Sequence, residues 1–216
     1  MNTPEPLLTK TELRKSLLFT RKALSVQEWR EKSDRICNHL QNLPLFTEAK
    51  TVLAYFSFRQ EPDLSVLFTS SVEQASCLLN SRNRQDACST NAIPSPKTWG
   101  FPRCVGKELS WHIWQPGDAL HTVAYGILEP LPDASKIDHS KVDLILIPAV
   151  GCDFRGYRLG YGGGYYDRML SKAEWKSKIA IGIIFEFAFL TQLPVDSWDQ
   201  TLYGICTESG NLKSKI

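Results

Sequence analysis

Apolar residues recur at helical spacing through the first forty residues of the chain. Thr-Lys-Thr-Glu at 9–12 and Ser-Val-Gln-Glu at 25–28 fit the capping box, in which a hydroxyl and a glutamate three residues later satisfy N–H groups left free at a helix start. These signals predict helices over about 10–22 and 26–42. The residues predicted to face the core are Leu13, Leu17, Thr20 and Leu24 in the first helix, and Trp29, Ile36 and Leu40 in the second.

Short continuous apolar runs predict the strands. The clearest run, 142–150, is rich in β-branched residues, as expected for a strand that is buried on both faces. Further strands are predicted at 50–57, 75–79, 99–105, 109–114, 179–185 and 201–206. Asp63 can cap a helix over about 64–75, so the chain from 50 to 79 predicts a parallel βαβ unit, and Gly106 indicates a hairpin.

Length and charge are those of an ordinary globular protein. The chain has 216 residues, and neither a linker nor an internal repeat divides it, so we predict one domain over 1–216, with a flexible loop or insertion in the polar segment 81–98. A net charge of +2 argues against nucleic acid or an anionic membrane as partner. Because no apolar run could cross a bilayer or serve as a signal peptide, we predict a cytoplasmic protein, which we take to be a monomer.

The six cysteines are scattered along the chain. They form no CxxC pair, and no histidine stands at metal-ligand spacing, which argues against a disulfide framework or a zinc site. Cys152 lies near a glycine-rich segment, so it is either a reactive thiol or, as free cysteines usually are, a small core residue.

That glycine-rich segment, 158–168, reads Arg-Leu-Gly-Tyr-Gly-Gly-Gly-Tyr-Tyr-Asp-Arg and follows the most apolar strand. Its glycines are Gly160, Gly162, Gly163 and Gly164. Glycine lets backbone N–H groups approach a ligand closely, and strand, glycine loop and helix in this order often hold phosphate. Glycine richness alone also fits a surface turn. Arg158 and Arg168, which bracket the loop, and the adjacent tyrosines favour an anion that carries a ring system.

The segment 148–167 closely resembles the signature of the 5-formyltetrahydrofolate cyclo-ligases, also called 5,10-methenyltetrahydrofolate synthetases. In that family a strand ending in Pro leads through an acid and a Gly to Arg-Leu-Gly-x-Gly-x-Gly-Tyr-Tyr-Asp. The matching residues are Pro148, Asp153, Gly156, Arg158, Leu159, Gly160, Gly162, Gly164, Tyr165, Tyr166 and Asp167. Matches outside the signature are Lys10, Arg14, Glu61, Pro102, Arg103, Glu129, Pro130, Glu186, Asp199, Thr207 and Glu208. Many members have a Gln where Ala188 stands and an acid where Tyr203 stands.

The resemblance implies a site for ATP and a reduced folate. The residues it assigns to ATP are Lys10, Arg14, Arg158, Leu159, Gly160, Tyr161, Gly162, Gly163, Gly164, Tyr165 and Tyr166. The folate would share the loop from Tyr161 to Tyr165 and contact Phe56 and Glu61, although an exposed turn acid is the alternative for Glu61. Mg²⁺ would bind Asp167 and Asp199, with Asp196 as an alternative to Asp199, and the residues implied in catalysis are Lys10, Arg158 and Asp167. Trp114 is predicted either to line this pocket or to pack in the core.

The placement of Lys10 and Arg14 favours a bound anion. A cation at the first position of a helix is unfavourable by about 0.3–1 kcal/mol, and like charges four residues apart cost about 0.2–0.5 kcal/mol. Phosphate would reverse both effects. The alternative is that Glu5, Glu12 and solvent screen the two charges.

We therefore predict a three-layer α/β/α sandwich with a mixed, mostly parallel sheet. The resemblance implies that it converts 5-formyltetrahydrofolate to 5,10-methenyltetrahydrofolate, with Mg²⁺ as cofactor and ATP as co-substrate, releasing ADP and phosphate. Two alternatives stay open, namely a nucleotide- or phosphate-binding module without turnover, and a sugar-phosphate or acyl-group enzyme on a related sheet.

Overall fold

The structure of the chain, a computed structural model, describes residues 8–69 and 97–210. Its helices are α1 (Lys10–Lys22), α2 (Val26–Gln41), α3 (Pro44–Glu48), α4 (Tyr165–Ser171) and α5 (Ala173–Lys176), and residues 65–69 are also helical. Its strands are β1 (Thr51–Leu53), β2 (Thr98–Val105), β3 (Glu108–Ile113), β4 (Leu120–Thr122), β5 (Leu128–Pro130), β6 (Leu144–Pro148), β7 (Gly151–Asp153), β8 (Arg158–Leu159), β9 (Ile179–Ile183), β10 (Phe189–Leu190) and β11 (Gly204–Cys206). Short 3-10 helices lie at Ala124–Gly126, His139–Lys141 and Glu186–Ala188.

Six strands form the central sheet, in the order β11-β9-β6-β1-β2-β3. Every neighbouring pair is parallel except β2 and β3, which form the hairpin predicted around Gly106. The prediction of a mixed, mostly parallel sheet is therefore confirmed. A smaller sheet, β10-β7-β8, adjoins the glycine-rich loop, and β4 pairs with β5 as a ribbon.

Helices cover both faces of the central sheet. Leu144 and Leu146 of β6 belong to one buried cluster with residues of α2 and α3, whereas Ile145 and Ile147 belong to another with residues of α1, α4 and α5. Because successive side chains of a strand point to opposite faces, β6 must be apolar at every position to serve both clusters. Each buried aliphatic side chain contributes about 1.5–3 kcal/mol, and this burial explains the continuous apolar run in the sequence.

Both capping boxes are present, and α1 and α2 begin where the sequence predicts. The structure shortens several predicted strands, because apolar burial continues beyond the residues of each strand. The runs predicted at 50–57, 142–150, 179–185 and 201–206 correspond to β1, β6, β9 and β11. The predicted strand 75–79, the end of the helix 64–75 and nearly all of 81–98 lie outside the described residues. Within the described chain, the parallel neighbour that follows β1 is β2.

One prediction for α1 is wrong. Thr20 is exposed, and its hydroxyl donates to the Ser16 carbonyl at 3.3 Å. Arg21 is buried instead, with 3% of its surface exposed. Positions 20 and 21 lie three and four residues after Leu17, so either could share its side of the helix. In α1 it is position 21 that faces the sheet. A pattern of hydrophobic residues cannot predict that a charged residue is buried on this face.

Asp153 organises the turn that leads into the glycine-rich loop. Its fully buried carboxylate accepts the backbone N–H groups of Arg155 (3.0 Å) and Tyr157 (3.1 Å) through Oδ1. Oδ2 accepts the Leu193 N–H (2.9 Å) and two N–H groups of the Arg155 guanidinium (2.7 and 2.9 Å). A carboxylate can be buried at low cost only when its oxygens are satisfied in this way. Asp153 therefore fixes where β8 begins.

We expect Asp153→Asn to destabilise the protein by about 3 kcal/mol, since the amide cannot accept from all five donors and charge-assisted hydrogen bonds are worth about 1.5–3 kcal/mol each. Urea denaturation measures this. The matched control is Asp138→Asn, because Asp138 also accepts the N–H two residues on, at 2.9 Å, but is exposed. Equal effects of the two substitutions would contradict this assignment.

Candidate active site

The glycine-rich loop joins β8 to α4 and is shaped by its glycines. Gly162 (φ +102°) and Gly164 (φ +65°) adopt left-handed angles that other residues take only with strain. At Gly160 the angle is ordinary, and an added methyl group would meet no atom within 4 Å. The loop therefore requires glycine for its backbone angles at Gly162 and Gly164, whereas at Gly160 no neighbouring side chain covers the backbone.

Helix α1 packs its charged side against this loop. The Arg14 Nε donates to the Gly160 carbonyl at 2.8 Å, and the guanidinium carbon lies 3.9 Å from the position of a Cβ added at Gly162. The guanidinium of Arg14 thus lies beside the uncovered part of the loop, where it would face any anion bound there.

Lys10, one turn earlier, is held by two carboxylates. Its ammonium lies 2.6 Å from Asp196 and 2.5 Å from Asp199, and Asp199 also accepts the Asp196 N–H at 2.7 Å. Burial alone would lower the pKa of Lys10, but the hydrogen bonds and charges of the two acids outweigh it and raise the pKa. A bound anion is therefore not needed to offset the unfavourable placement of Lys10 at the helix start, because residues 186 and 189 positions later supply carboxylate partners.

Asp167, in the first turn of α4, pairs with Arg158. Its Oδ1 accepts from the Arg158 guanidinium at 3.0 Å and from the Gln200 N–H at 3.2 Å. The Arg158 side chain is 4% exposed and also donates to the Gln200 carbonyl, at 3.3 Å. Arg158 is thus a buried support that fixes Asp167 beside the segment carrying Asp199.

These acids fit a phosphate-bound Mg²⁺ better than a metal held by protein alone. In the described part of the chain, no group of three or more His, Cys, Asp or Glu residues could hold a metal ion. Mg²⁺ bound to phosphate needs only one or two carboxylates and keeps several waters. The Asp167 side chain is 22% exposed and uses only one oxygen in the contacts above, so it retains an oxygen for this purpose.

Glu61 is buried, with 3% of its surface exposed, which overturns the alternative of an exposed turn acid. Its carboxylate accepts the Phe58 N–H at 3.1 Å, and its carbonyl accepts the Trp29 indole N–H at 2.8 Å. The turn before it places both Arg59 (φ +49°) and Gln60 (φ +56°) in the left-handed region. Two consecutive non-glycine residues in that region are costly, so the fold holds Glu61 inward against local preference.

Two side chains from distant elements face the Glu61 carboxyl. Burial raises the pKa of Glu61 to about 7, although the positive charge of Arg21, the Phe58 N–H and the Tyr161 hydroxyl each act to lower it. Burial and the charge of Glu61 in turn raise the pKa of Tyr161. Tyr161 belongs to the glycine loop, and its ring lies 6.2 Å from the ring of Phe58, whose N–H the Glu61 carboxylate accepts, so the loop and the buried acid adjoin.

The aromatic residues near Glu61 pack mainly on each other. Phe56 stacks on Phe101 with ring centroids 4.1 Å apart and meets Trp114 edge-on at 5.1 Å. Trp114 is 8% exposed, and its indole N–H donates to the Asp118 carbonyl at 3.1 Å. Both residues belong to the aromatic core, Trp114 within it and Phe56 at its edge.

Comparisons with known proteins identify the family of the chain. The family model "5-formyltetrahydrofolate cyclo-ligase family" matches residues 7–208. The chain belongs to the 5-formyltetrahydrofolate cyclo-ligase family. The 5-formyltetrahydrofolate cyclo-ligase of Haemophilus influenzae is 27% identical over 206 residues, covering 95% of this chain and 98% of that protein. The structure of Aquifex aeolicus 5,10-methenyltetrahydrofolate synthetase superimposes with a TM-score of 0.75 at 30% identity, covering 96% of this chain and 93% of that one. A Mycoplasma pneumoniae synthetase has the same fold, with a TM-score of 0.67 at 22% identity over 93% and 99% of the two chains.

Some residues of the cyclo-ligase signature point inward, beneath the loop. Leu159 is 2% exposed, and the Tyr166 ring lies 5.7 Å from the Arg158 guanidinium. The Tyr165 hydroxyl donates to the Gly106 carbonyl at 3.2 Å, which ties the loop to the β2–β3 hairpin. In this cyclo-ligase the uncovered part of the loop is therefore its backbone at Gly160, and these larger side chains support the loop from below or from the side.

Two further positions belong to the core of the cyclo-ligase fold. Cys152 is fully buried in β7, and burial raises the pKa of its thiol to about 12, so it is a core residue rather than a reactive thiol. Ala188 is buried in the same apolar cluster.

Sequence reasoning missed Arg21. It lies seven residues after Arg14, and two helical turns place the two side chains on the same side of α1. Its guanidinium donates to the Tyr161 hydroxyl and, at 3.4 Å, to the Ala149 carbonyl. The spacing of seven residues from Arg14 was the signal in the sequence that could have identified Arg21.

No helix of the described residues is long and apolar enough to span a membrane.

We expect Glu61→Gln to become more stabilising as the pH rises. The folded wild type keeps the Glu61 proton until about pH 7, whereas the unfolded chain keeps it only until about pH 4.5. Protonated Glu61 therefore contributes its full stability to wild type below pH 4.5, and this contribution is lost as the pH rises through 7. Between pH 5 and 8 the stability of the variant relative to wild type should rise by about 2.5 kcal/mol. Urea denaturation at several pH values measures it, with the exposed Glu31→Gln as control. A constant difference would show that Glu61 is already ionised at pH 5.

Proposed function

We propose that this chain joins 5-formyltetrahydrofolate and ATP in a ring closure that yields 5,10-methenyltetrahydrofolate, ADP and phosphate. The observation that carries the proposal is the contact of Arg14 with the Gly160 carbonyl, because it brings the cations of α1 to the uncovered backbone of the glycine loop. Cations and backbone N–H groups that converge in this way suit a triphosphate. Family membership identifies which phosphate chemistry to test.

The chemistry needs alignment more than a nucleophilic side chain. The formyl oxygen on N5 attacks the γ-phosphorus, and the bond from that phosphorus to the ADP oxygen breaks. N10 then attacks the formyl carbon, loses its proton, and the phosphorylated oxygen leaves as phosphate. Such transfers are accelerated chiefly by positioning and by neutralising negative charge. The roles we propose for Lys10, Arg14 and the loop residues Gly160 to Tyr165 are of this kind.

The acids beside the loop would hold Mg²⁺. We propose Asp167 and Asp199 as its ligands, with Asp196 as the alternative to Asp199, and Mg²⁺ would neutralise charge on the phosphates when bound. Since Lys10 is paired with both Asp196 and Asp199, ATP must take over Lys10 as these carboxylates turn to the metal. Arg158 would act indirectly, by keeping Asp167 in place.

The folate is proposed to lie between Glu61 and the loop, where Phe58 connects the two, since its ring lies 6.2 Å from that of Tyr161 and its N–H donates to the Glu61 carboxylate. Phe56 is half-buried at the edge of the aromatic cluster and can offer an apolar edge to the ring system, whereas Trp114 supports it from within the cluster. We further propose that the enzyme acts as a cytoplasmic monomer on small molecules, without a nucleic-acid or membrane partner.

The deciding experiment follows the absorbance of the methenyl product with purified protein, 5-formyltetrahydrofolate and Mg-ATP. Product that requires all three components supports the proposal, and full turnover in excess chelator would refute the role of Mg²⁺. Calorimetric binding of ATP without turnover would indicate a binding module. Binding of neither substrate would favour the sugar-phosphate or acyl-group alternative.

We expect Asp167→Asn to raise the Mg²⁺ concentration for half-maximal rate at least tenfold, about 1.4 kcal/mol of metal binding. The variant also removes the counter-charge of buried Arg158, so it should lower the thermal stability of the ATP-free protein as well. The exposed Glu174→Gln is the control. A stability loss with an unchanged Mg²⁺ requirement would restrict Asp167 to its structural pairing with Arg158.

Gly160→Ala tests the phosphate cradle without straining the loop. The added methyl group meets nothing in the ligand-free protein, so stability should stay constant or rise by about 0.4–1 kcal/mol. ATP affinity measured by calorimetry should fall at least about tenfold if phosphate approaches this backbone. Gly162→Ala is the contrast, because its positive φ predicts lower stability whatever binds. Unchanged ATP affinity in Gly160→Ala would place the nucleotide elsewhere.

A further inference from the structure

Arg21 is a buried cation with incomplete hydrogen bonding. Only 3% of its surface is exposed, and its Nε has no hydrogen-bond partner among the described residues. Its two remaining contacts are the Tyr161 hydroxyl and the Ala149 carbonyl, the latter at a long 3.4 Å. In the described chain, no carboxylate lies within ion-pair distance of it.

Stability does not explain an arginine at this position. A guanidinium cannot shed its proton, so it must remain charged in the interior, and an apolar side chain of similar volume usually serves a core at least as well. The neighbours along α1 show the alternative, since Leu17 fills the same side of the helix with an apolar chain. A buried, partly satisfied cation calls for a functional reason.

The contacts of Arg21 point to that reason. Arg14 holds the carbonyl of Gly160, and Arg21, two turns later on α1, holds the hydroxyl of the next loop residue, Tyr161. The Tyr161 ring lies 5.6 Å from the Arg21 guanidinium, so the arginine contacts the side chain at its face as well as at its hydroxyl. The Tyr161 ring also lies 6.2 Å from the ring of Phe58, whose N–H the Glu61 carboxylate accepts at 3.1 Å.

We propose that Arg21 is a positioning residue that anchors the Tyr161 phenol beside Glu61 and so locks the glycine loop against the acid end of the folate pocket. It would act through Tyr161 and would not touch either substrate. The inference rests on the proposed function for its kinetic consequence, but the anchoring itself is a property of the ligand-free protein.

The anchoring also sets the electrostatics of the pocket. The ionisable groups whose charges interact with Glu61 are Arg21 from α1, Tyr161 from the loop, Tyr55 after β1 and Tyr166 from α4. Arg21 is the only cation among them. Its charge opposes the burial that raises the pKa of Glu61, so without it the acid would hold its proton to a higher pH.

The first arm of the test needs no turnover. Carbon NMR of protein labelled at the glutamate carboxyls follows the titration of Glu61, whose signal is identified by its absence in Glu61→Gln. We expect the midpoint to move upward in Arg21→Met and to return toward the wild-type value in Arg21→Lys, which keeps the charge. Lys22→Met, on the exposed side of α1, removes the same charge and should leave the midpoint unchanged. An unchanged midpoint in Arg21→Met would overturn the proposal.

The second arm is a double-mutant cycle on kcat/KM for 5-formyltetrahydrofolate. If Arg21 acts through Tyr161, Arg21→Met and Tyr161→Phe should each lower it about tenfold, and the double variant should lose little more than either alone. The KM for ATP should stay within twofold. Fully additive losses would show that Arg21 does not act through Tyr161 and would overturn the proposal. A wild type without turnover would refute the proposed function, while the NMR arm would still decide the role of Arg21.

Discussion

A helix with cations along one side can pack against a protein only where oxygen atoms meet each of them, and α1 depends on this condition. Lys10 meets the carboxylates of Asp196 and Asp199, Arg14 meets the Gly160 carbonyl, and Arg21 meets the Tyr161 hydroxyl. These oxygens belong to the glycine loop and to the segment after β10. The docking of α1 therefore brings together parts of the chain that lie 140 to 189 residues apart, and it creates the site as it does so.

The buried charged side chains that support the site differ in how completely their polar atoms are hydrogen-bonded. Asp153 is buried with all its oxygens in use, so it can fix the start of β8 without strain. Glu61 and Arg21 are buried with less compensation, and the turn before Glu61 takes left-handed angles at Arg59 and Gln60. Unfavourable features of this kind persist when a function selects for them, and Glu61 and Arg21 lie on the side of the loop where we propose that the folate binds.

What the sequence predicts well is local or periodic. The capping boxes place α1 and α2, the apolar run places β6 in the interior of the sheet, and the glycine spacing with its family resemblance indicates the loop. The features that the sequence does not predict depend on contacts between elements that are far apart along the chain. The partners of Lys10 lie in a segment with no pattern of its own, and Glu61 is buried by a turn that disfavours it. Arg21 occupies a core position that a hydrophobic pattern assigns to Thr20, because such a pattern does not count arginine.

The internal pairing of Lys10 has a consequence for how the protein responds to ionic strength. A cation that is exposed to bulk water gains the full Coulomb attraction to an anion that binds to it, and dissolved salt weakens that attraction. In the function proposed above, Lys10 would instead exchange two carboxylates for phosphate, so salt would weaken both the pair that is broken and the pair that is formed. Nucleotide binding at this site would therefore depend on salt less steeply than its number of positive side chains suggests.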